Sequence, residues 1–349
     1  MSDILLRELS NADIDWMVTT GKRQVLGNSA VLITPDDSLD ALYLVLEGAM
    51  TMSAPCSGRE FAQLGRGELF GASWLFNAAP VCVIAAKGSA KILAIPKTNL
   101  LEKLRTDASF ATHFYRAIAL MMSERIRTQF EAAQSSQPAD LLRYQSGQMV
   151  KEALFVFGEL HDSDIDWMMS TGKIRRVESG EVVLNMGRPV DALYTVLDGQ
   201  LAIATTDTPY DPFSGCSDTL AKQPQAFTTL AYIYRGGLPG IISFLDLKPL
   251  PVRIQATQES VLLTIDRQQT IIKLQEDLSF AARFYHVIAA QTAHLLNSVT
   301  AVECAAVGDN SSNMKDKQDE DELDIEQLQK ASQGGKKFDW MLKQLKVEA

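Results

Sequence analysis

The stretch DALYLVLEG at residues 40–48 returns 151 residues later as DALYTVLDG at residues 191–199. Around it, residues 13–48 align with residues 164–199 without a gap, and 16 of the 36 positions are identical. Similarity of a chain to itself at a fixed offset is typical of a repeated structural unit. The chain is therefore predicted to contain two copies of one domain.

The repeat continues toward the end of each copy. FATHFY at residues 110–115 matches FAARFY at residues 280–285 with an offset of 170, so the second copy is longer by 170 − 151 = 19 residues. Eighteen of these lie between Gly199 and Arg235, in a segment around 206–225 that is rich in Pro, Asp, Ser and Thr. That composition predicts a surface loop.

Each copy has the same order of predicted elements. A short helix, 12–20 or 164–171, ends at a glycine, Gly21 or Gly172. Short apolar strands follow, and an acidic residue plus glycine at 47–48 and 198–199 predicts hairpin turns. The strands are expected at 41–46, 81–84, 91–95, 192–197, 252–256 and 261–265. Apolar spacing from Phe110 and from Phe280 predicts a long closing helix in each copy. The fold class is therefore mainly β with α: two β-rolls of jelly-roll type, each flanked by helices.

The composition excludes several classes of protein. Lys and Arg total 33 against 43 Asp and Glu, a formal charge of −10, which disfavours a nucleic-acid partner because phosphate binding needs a basic face. No apolar run reaches the ~18–20 residues of a membrane span, so none is expected. The start lacks a secretory signal, and the four cysteines are far apart, as expected of reduced thiols in a cytoplasmic protein.

The boundaries follow from the repeat and from changes in composition. We expect a first domain over 1–130, a linker over 131–152 that contains Pro138, and a second domain over 153–305. An acidic flexible tail is expected over 306–337, because six of the eight residues 319–326 are acidic and Gly334-Gly335 would be a joint. A short amphipathic helix is expected over 338–349.

Three motifs carry a resemblance to a known family. These are the strand and turn at 43–48 and 194–199, the glycine turns GELFG at 67–71 and GGLPG at 236–240, and the F-A-x-x-F-Y opening of each closing helix. Both copies resemble the cyclic nucleotide-binding domains of bacterial catabolite activators and of protein kinase A regulatory subunits. The resemblance covers about 5–130 and 155–300, and it implies two cyclic nucleotide-binding-like β-rolls in tandem.

The resemblance also implies where a ligand would bind. The family's phosphate cassette reads approximately F-G-E, seven to nine further residues, then R-x-A-x-x-x-A. The glutamate accepts a hydrogen bond from the ribose 2′-hydroxyl, and the arginine donates charge-assisted hydrogen bonds to the phosphate. A short helix N-terminus adds backbone N–H groups.

Both charged positions of this cassette carry other residues here. After Gly240 in the second copy, Ile241 takes the glutamate position and Leu250 the arginine position. After Gly71 in the first copy, Ala72 and Pro80 take them. We therefore expect no cofactor and no micromolar binding of cAMP or cGMP. The alternative is that one of these two nucleotides does bind.

Nearby cations are poor substitutes for the missing arginine. Arg253 lies three positions after Leu250 on the same strand, and side chains of a strand alternate between its faces, so Arg253 is expected to point away from the pocket. A bulge would reverse that direction. Lys248 and Lys87 are expected to be solvated side chains.

No catalytic or metal site is apparent. The Thr-Gly-Lys sequences at 20–22 and 171–173 lack the remainder of a phosphate-binding loop and end a helix instead of starting one. The four histidines, at 113, 161, 286 and 294, are not clustered, so no metal is expected. No Ser/His/Asp set recurs in both copies, and no helix-turn-helix follows either closing helix.

The resulting hypothesis is a non-catalytic regulatory or adaptor protein that acts through contacts with unidentified protein partners. The alternative is a sensor of a cyclic nucleotide or another small ligand in an altered pocket. In the last segment, Phe338, Met341, Leu342 and Leu345 would lie on one helical face and bind a partner's groove, or else dock on the chain's own rolls or stay disordered. The two closing helices, 110–130 and 280–299, are predicted to pack against each other.

Overall fold

The structure is a computed structural model that describes residues 4–35, 37–55, 58–76, 80, 82–133, 157–206, 227–306 and 325–347. These residues form two compact units. The first contains 4–122 and 281–306, and the second contains 123–280 and 325–347. Each unit thus takes part of the closing helix that follows the other sequence copy. Residues 131–133 of the predicted linker are helical, and the rest of the linker lies outside the described residues. Most of the predicted loop at 206–225 also lies outside them.

The first copy begins and ends with helices around six strands. Its elements are α1 Ile4–Glu8, α2 Asn11–Thr20, β1 Lys22–Leu26, β2 Val31–Ile33, β3 Ala41–Ser53, β4 Glu60–Leu64, β5 Leu69–Phe70, a 3₁₀ helix Ser73–Phe76, β6 Val83–Pro96, α3 Lys97–Thr106 and α4 Ala108–Ala133.

The second copy has the same order with shorter strands. Its elements are α5 Asp162–Thr171, β7 Lys173–Val177, β8 Val182–Leu184, β9 Ala192–Asp198, β10 Leu201–Thr206, β11 Phe227–Ile233, α6 Ile241–Asp246, β12 Arg253–Ala256, β13 Ser260–Asp266, α7 Arg267–Glu276 and α8 Leu278–Ala306. The last helix of the chain is α9, Ile325–Gln344.

The two copies share one sheet topology. In the first, the strands pair antiparallel in the order β1-β6-β3-β4, and β2 also pairs with β6. In the second, the same path is split into the sheets β7-β13-β9 and β11-β10-β12-β8. The strands β9 and β10 together correspond to β3, and β12 and β13 together correspond to β6. The predicted fold class, two β-rolls flanked by helices, is confirmed.

The acidic residue plus glycine at 47–48 and 198–199 does not form a hairpin turn, so this prediction was wrong. In the first copy Glu47 and Gly48 lie inside β3, at shifts in its register against β6. In the second copy Gly199 separates β9, which pairs with β13, from β10, which pairs with β12. Both glycines have positive φ, 79° and 91°. They allow a bulge at which one long strand bends from one side of the roll to the other.

The glycine that ends each first helix is required by close packing. A Cβ on Gly21 would lie 2.5 Å from Cγ of Leu93, and a Cβ on Gly172 would lie 2.5 Å from Cδ1 of Leu263. At the other end of α2, the Ser10 backbone N–H donates to the Asp13 carboxylate and the Asp13 N–H donates to Ser10 Oγ. This capping box satisfies helix-terminal N–H groups. The predicted helix ends at Thr20 and Thr171 are confirmed.

The parts of the two closing helices that belong to the first unit contact each other, as predicted. The rings of Tyr115 and His286 have centroids 4.5 Å apart. The Arg116 guanidinium lies over the ring of Tyr285 at 5.9 Å, and the Thr292 hydroxyl lies 3.9 Å from the sulfur of Met122. These aromatic and cation–π contacts hold the two helices together within the first unit.

The bend glycine can be tested with a matched pair of substitutions in the first roll. Gly48→Ala and Gly88→Ala both place a side chain at positive φ, 79° and 76°, which costs about 1–2 kcal/mol. Only at Gly48 would the new Cβ meet backbone, the Ser89 carbonyl oxygen at 2.4 Å, whereas nothing lies within 4 Å at Gly88. We expect Gly48→Ala to lower the free energy of unfolding by about 1–3 kcal/mol more than Gly88→Ala, measured by urea denaturation. Equal losses would show that the roll does not need a close approach at residue 48.

Candidate functional site

The cassette of the first roll carries no charged side chain at its two key positions. Gly71 has a φ of 76°, and a Cβ there would lie 3.0 Å from the ring of Tyr43. Ala72, at the glutamate position, is buried with 8% of its surface exposed. Pro80, at the arginine position, is half-buried. Residues 77–79 and 81 lie outside the described residues.

The interior of the first roll beside this cassette is filled with apolar side chains. Tyr43 stacks on Phe70 with centroids 5.3 Å apart. Trp74, in the 3₁₀ helix, donates its indole N–H to the Ala41 carbonyl at 3.4 Å and lies under the ammonium of Lys97. The buried cluster consists of Ile33, Leu39, Val45, Met50, Leu64, Phe70, Cys82, Ile84, Ala86, Ala90 and Ile92. A nucleotide phosphate would find no counter-charge in this cluster.

The cassette of the second roll is also apolar at both positions. Gly240 caps the six-residue helix α6 with a φ of 76°. Ile241 is 6% exposed and Leu250 is 1% exposed. A Cβ at Gly240 would lie 2.6 Å from Cδ1 of Leu184 and 3.1 Å from Cγ2 of Val190. The side chains that replace the two charges are therefore packed into the roll, like the core around them.

The cations near the second cassette lie where the strand alternation predicts. Along β12, Arg253 is half-exposed while Ile254 is buried, and the Arg253 guanidinium stacks 4.4 Å from the ring of Phe227. Lys248 is an exposed side chain whose Nζ lies 3.7 Å from the Glu124 carboxylate. In the first roll, Lys87 is similarly exposed and donates to the amide oxygen of Gln63. Lys248 and Lys87 are thus solvated side chains, whereas the Nε of Arg253 is buried and has no hydrogen-bond partner among the described residues.

The structure instead brings an arginine from elsewhere to the second cassette. Arg127, on α4, has only 9% of its side chain exposed and pairs with Asp246 at the end of α6. Its Nε and Nη2 donate to the two carboxylate oxygens of Asp246, each at 2.8 Å. Nη2 also donates to Ser243 Oγ at 2.8 Å and to the Lys248 carbonyl at 3.3 Å. Nη1 donates to the Pro249 carbonyl at 2.6 Å. One guanidinium thus binds both ends of the turn after α6.

The sequence analysis did not find Arg127. Its position in the other closing helix, at the offset of 170, holds Asn297, and the position of Asp246 in the first cassette holds Asn77. The only available indication was therefore one charge in each copy that the other copy lacks. The two partners are 119 positions apart in the sequence, so no local pattern indicated their pairing.

With both rolls and both cassettes described, the chain can be compared with known proteins. Residues 23–107 match the model of the cyclic nucleotide-binding domain family. The match runs from β1 through α3, the whole strand set of the first roll with its cassette. The second roll repeats the strand order of the first, and the sequence repeat of 16 identities in 36 positions links the two. No curated protein sequence matches the chain significantly.

Several solved structures are similar to parts or most of the chain. The regulatory domain of Toxoplasma gondii protein kinase A with cAMP is 13% identical, with 79% of this chain and 89% of that chain covered and a TM-score of 0.28. The regulatory subunit of a cAMP-independent protein kinase A from Trypanosoma brucei is also 13% identical, with coverage of 79% and 89% and a TM-score of 0.27. The N-terminal domain of a transcriptional regulator from Streptomyces coelicolor is 26% identical over 36% of this chain and 89% of that chain, with a TM-score of 0.30. Superpositions at this level carry no functional conclusion.

The apolar face of the last helix is docked on the second unit. Phe338 is 1% exposed and its ring packs edge-on against Phe157, with centroids 5.1 Å apart. Lys337 donates to the Leu160 carbonyl at 2.6 Å, and the Arg235 guanidinium lies over the Phe338 ring at 5.7 Å. Met341 and Leu342 are buried and Leu345 is half-buried. Of the alternatives left open by the sequence, docking on the chain's own roll is the one observed.

The helix is longer than the sequence indicated. It begins at Ile325 instead of residue 338, so 325–337 is helical where a flexible tail was expected, and it runs through Gly334 and Gly335. Each glycine costs a helix about 1 kcal/mol relative to alanine. Burial of Gly334, Phe338 and Met341 against the roll offsets that cost. Residues 307–324, with most of the acidic run, lie outside the described residues.

The histidines occupy separate environments. His113 Nδ1 lies 2.8 Å from the buried carboxylate of Asp13. Burial raises the pKa of Asp13, but the hydrogen bonds from His113 and Ser10 outweigh it, so the net pKa is lowered. In the described part of the chain, no group of three or more His, Cys, Asp or Glu side chains could hold a metal ion.

Within the same part, no helix is long and apolar enough to cross a membrane.

Burial lowers the pKa of His294, on α8, to about 4 from its ordinary value of 6.5. Between pH 6.5 and pH 4 the imidazole is therefore protonated in the unfolded chain but neutral in the folded chain. The free energy of unfolding consequently decreases as the pH falls through this range. We expect His294→Gln to remove up to about 3 kcal/mol of that pH dependence. The measurement is urea denaturation of both proteins at intervals from pH 7 to pH 4. Parallel curves for the two proteins would show that His294 is protonated normally in the folded state.

Proposed function

We propose that the chain is a non-catalytic regulatory protein whose two cyclic nucleotide-binding-type rolls act through contacts with other proteins. The observation that supports this most directly is the chemistry of the cassettes. Ala72, Ile241 and Leu250 are buried where the family's ligand-binding charges belong, and Pro80 is half-buried at the fourth position. Regulation by protein contact uses the surfaces of such a domain and needs no charge in its interior.

The energetic argument concerns the phosphate. A cyclic nucleotide in either roll would lose hydrogen bonds to a charged glutamate and a charged arginine, each worth about 1.5–3 kcal/mol. The sum, about 3–6 kcal/mol, is a factor of about 10²–10⁴ in affinity. A phosphate placed beside Leu250 would also be desolvated without a counter-charge, which disfavours binding further.

Isothermal titration calorimetry of the full chain with cAMP and with cGMP tests this proposal. We expect no saturable heat at a Kd below about 10 μM, which corresponds to about −7 kcal/mol. An established cAMP-binding protein measured in parallel shows that the nucleotide stock is active. A clear isotherm below that Kd would overturn the proposal, and the variants Lys248→Met and Arg253→Met would then identify the cation that binds the phosphate.

One observation favours the alternative, a sensor of another small ligand. The Thr205 hydroxyl, on β10, is 1% exposed and has no hydrogen-bond partner among the described residues. Its neighbour Ala204 pairs with Arg253, so Thr205 faces the other side of the strand, which it shares with buried Ile254. A buried hydroxyl without a partner is costly, and a ligand that accepts or donates one hydrogen bond would satisfy it. If any small ligand is found to bind, Thr205→Val should weaken its binding under this alternative and leave it unchanged otherwise.

The last helix offers a test of the protein-contact proposal. Phe338, Met341, Leu342 and Leu345 can bind a partner's groove only after the helix leaves the second roll. Phe338→Asp places a charge in the packed position against Phe157 and should release the helix while leaving the other three side chains intact. We expect affinity capture from the source cells to recover more of a partner with Phe338→Asp than with the unmodified chain.

A matched variant separates release from a change of surface. Asp339→Asn alters an exposed residue next to Phe338 and should leave both docking and capture unchanged. Capture that is equal for all three proteins, and that survives deletion of 325–349, would place the partner contact elsewhere on the rolls. Capture that is absent for every form would contradict the adaptor role itself.

A further inference from the structure

The turn that follows the second cassette helix has a strained backbone. Leu247 has a φ of 61°, in the left-handed region that leucine rarely adopts, and its side chain is 62% exposed. Its backbone N–H donates to the Ser243 carbonyl, and the next N–H, of Lys248, donates to the Asp246 carboxylate. Because the Leu247 side chain gains nothing from burial, its packing does not stabilise this conformation.

Arg127 supplies contacts that do stabilise it. The guanidinium bonds to residues on both sides of Leu247: Ser243 and Asp246 before it, and the carbonyls of Lys248 and Pro249 after it. The carboxylate and the carbonyl oxygens together make a concave, electronegative surface. The planar guanidinium presents its donors in a fork that matches such a surface, which a lysine ammonium does not.

The pair is almost fully removed from water. The side chains of Arg127 and Asp246 are 9% and 10% exposed. Removing one partner of a buried ion pair is strongly unfavourable, because the other charge stays buried without compensation. Loss of Arg127 would therefore leave the Asp246 carboxylate buried without its partner.

We propose that Arg127 is a latch that holds the second cassette, residues 240–250, closed without a ligand. A bound anion would order the cassette from inside the pocket. The Arg127 guanidinium orders the same residues from outside the pocket. Arg127 lies in the part of α4, residues 123–133, that belongs to the second unit together with the cassette. Withdrawal of the guanidinium frees the turn at Leu247 and opens the cassette, so residues 123–133 of α4 regulate the second cassette.

Hydrogen exchange of the full-length chain tests the latch. In Arg127→Met we expect the amides of 241–250 to exchange at least about tenfold faster, while β9 and β13 of the same unit keep their protection. Arg127→Lys keeps the charge but loses the fork, so it should show a smaller acceleration of the same segment. Asp246→Asn should also accelerate the exchange of this segment, and the double variant should add less than the sum of the two single effects, because both break the ion pair between Arg127 and Asp246.

The control is Glu124→Gln, one turn earlier on the same helix, where an exposed carboxylate faces Lys248 at 3.7 Å. It should leave the exchange of 241–250 unchanged. Unchanged exchange of this segment in a folded Arg127→Met protein would overturn the latch. Uniform loss of protection through β9, β13 and α7 in Arg127→Lys and Asp246→Asn would overturn it too, because Arg127 would then stabilise the whole unit instead of the cassette.

Discussion

Each roll depends on one long antiparallel pairing that bends at a glycine. The strand β3 pairs along β6 from Ala41 to Ser53, and its register shifts on either side of Glu47. At Gly48 a Cβ would meet the Ser89 carbonyl, and at Gly199 it would meet Ser260 Oγ at 2.2 Å, so both positions exclude a side chain. Because the bend carries one strand across both sides of the roll, the interior, the short outer strands and the cassette all take their positions from it.

The interior that this pairing encloses is apolar in both copies. In the first roll, Phe70, Ile84 and Ile92 belong to one buried cluster, and in the second, Ile241 and Leu250 are packed like core residues. Apolar side chains at these cassette positions add hydrophobic burial, which stabilises the roll.

The two copies differ in the charged residues near their cassettes. Arg127 and Asp246 form a buried pair at the second cassette, while their counterparts in the repeat, Asn297 and Asn77, are neutral. The conserved parts of the repeat are those that the fold requires, such as the capping aspartates Asp13 and Asp164 and the glycines Gly21 and Gly172. The residues that differ between the copies give each cassette its own set of contacts.

The sequence alone determined the tandem arrangement, the helix–strand–helix order and the loss of charge at both cassettes. These features are local or periodic, so the spacing of apolar residues and the repeat at fixed offsets were sufficient to predict them. The extents of α2, α5, α4 and α8 agree with that prediction to within a few residues, except that α8 continues to Ala306.

Only the tertiary structure decided the bend at Gly48, the docking of the last helix and the pairing of Arg127 with Asp246. An acidic residue followed by glycine is compatible with both a hairpin and a bulge, and the choice depends on which strand lies opposite. The face of Phe338 and Met341 fits a partner's groove as well as it fits the chain's own roll. The partners Arg127 and Asp246 are 119 residues apart, and no local pattern of residues records a contact between side chains that only folding brings together.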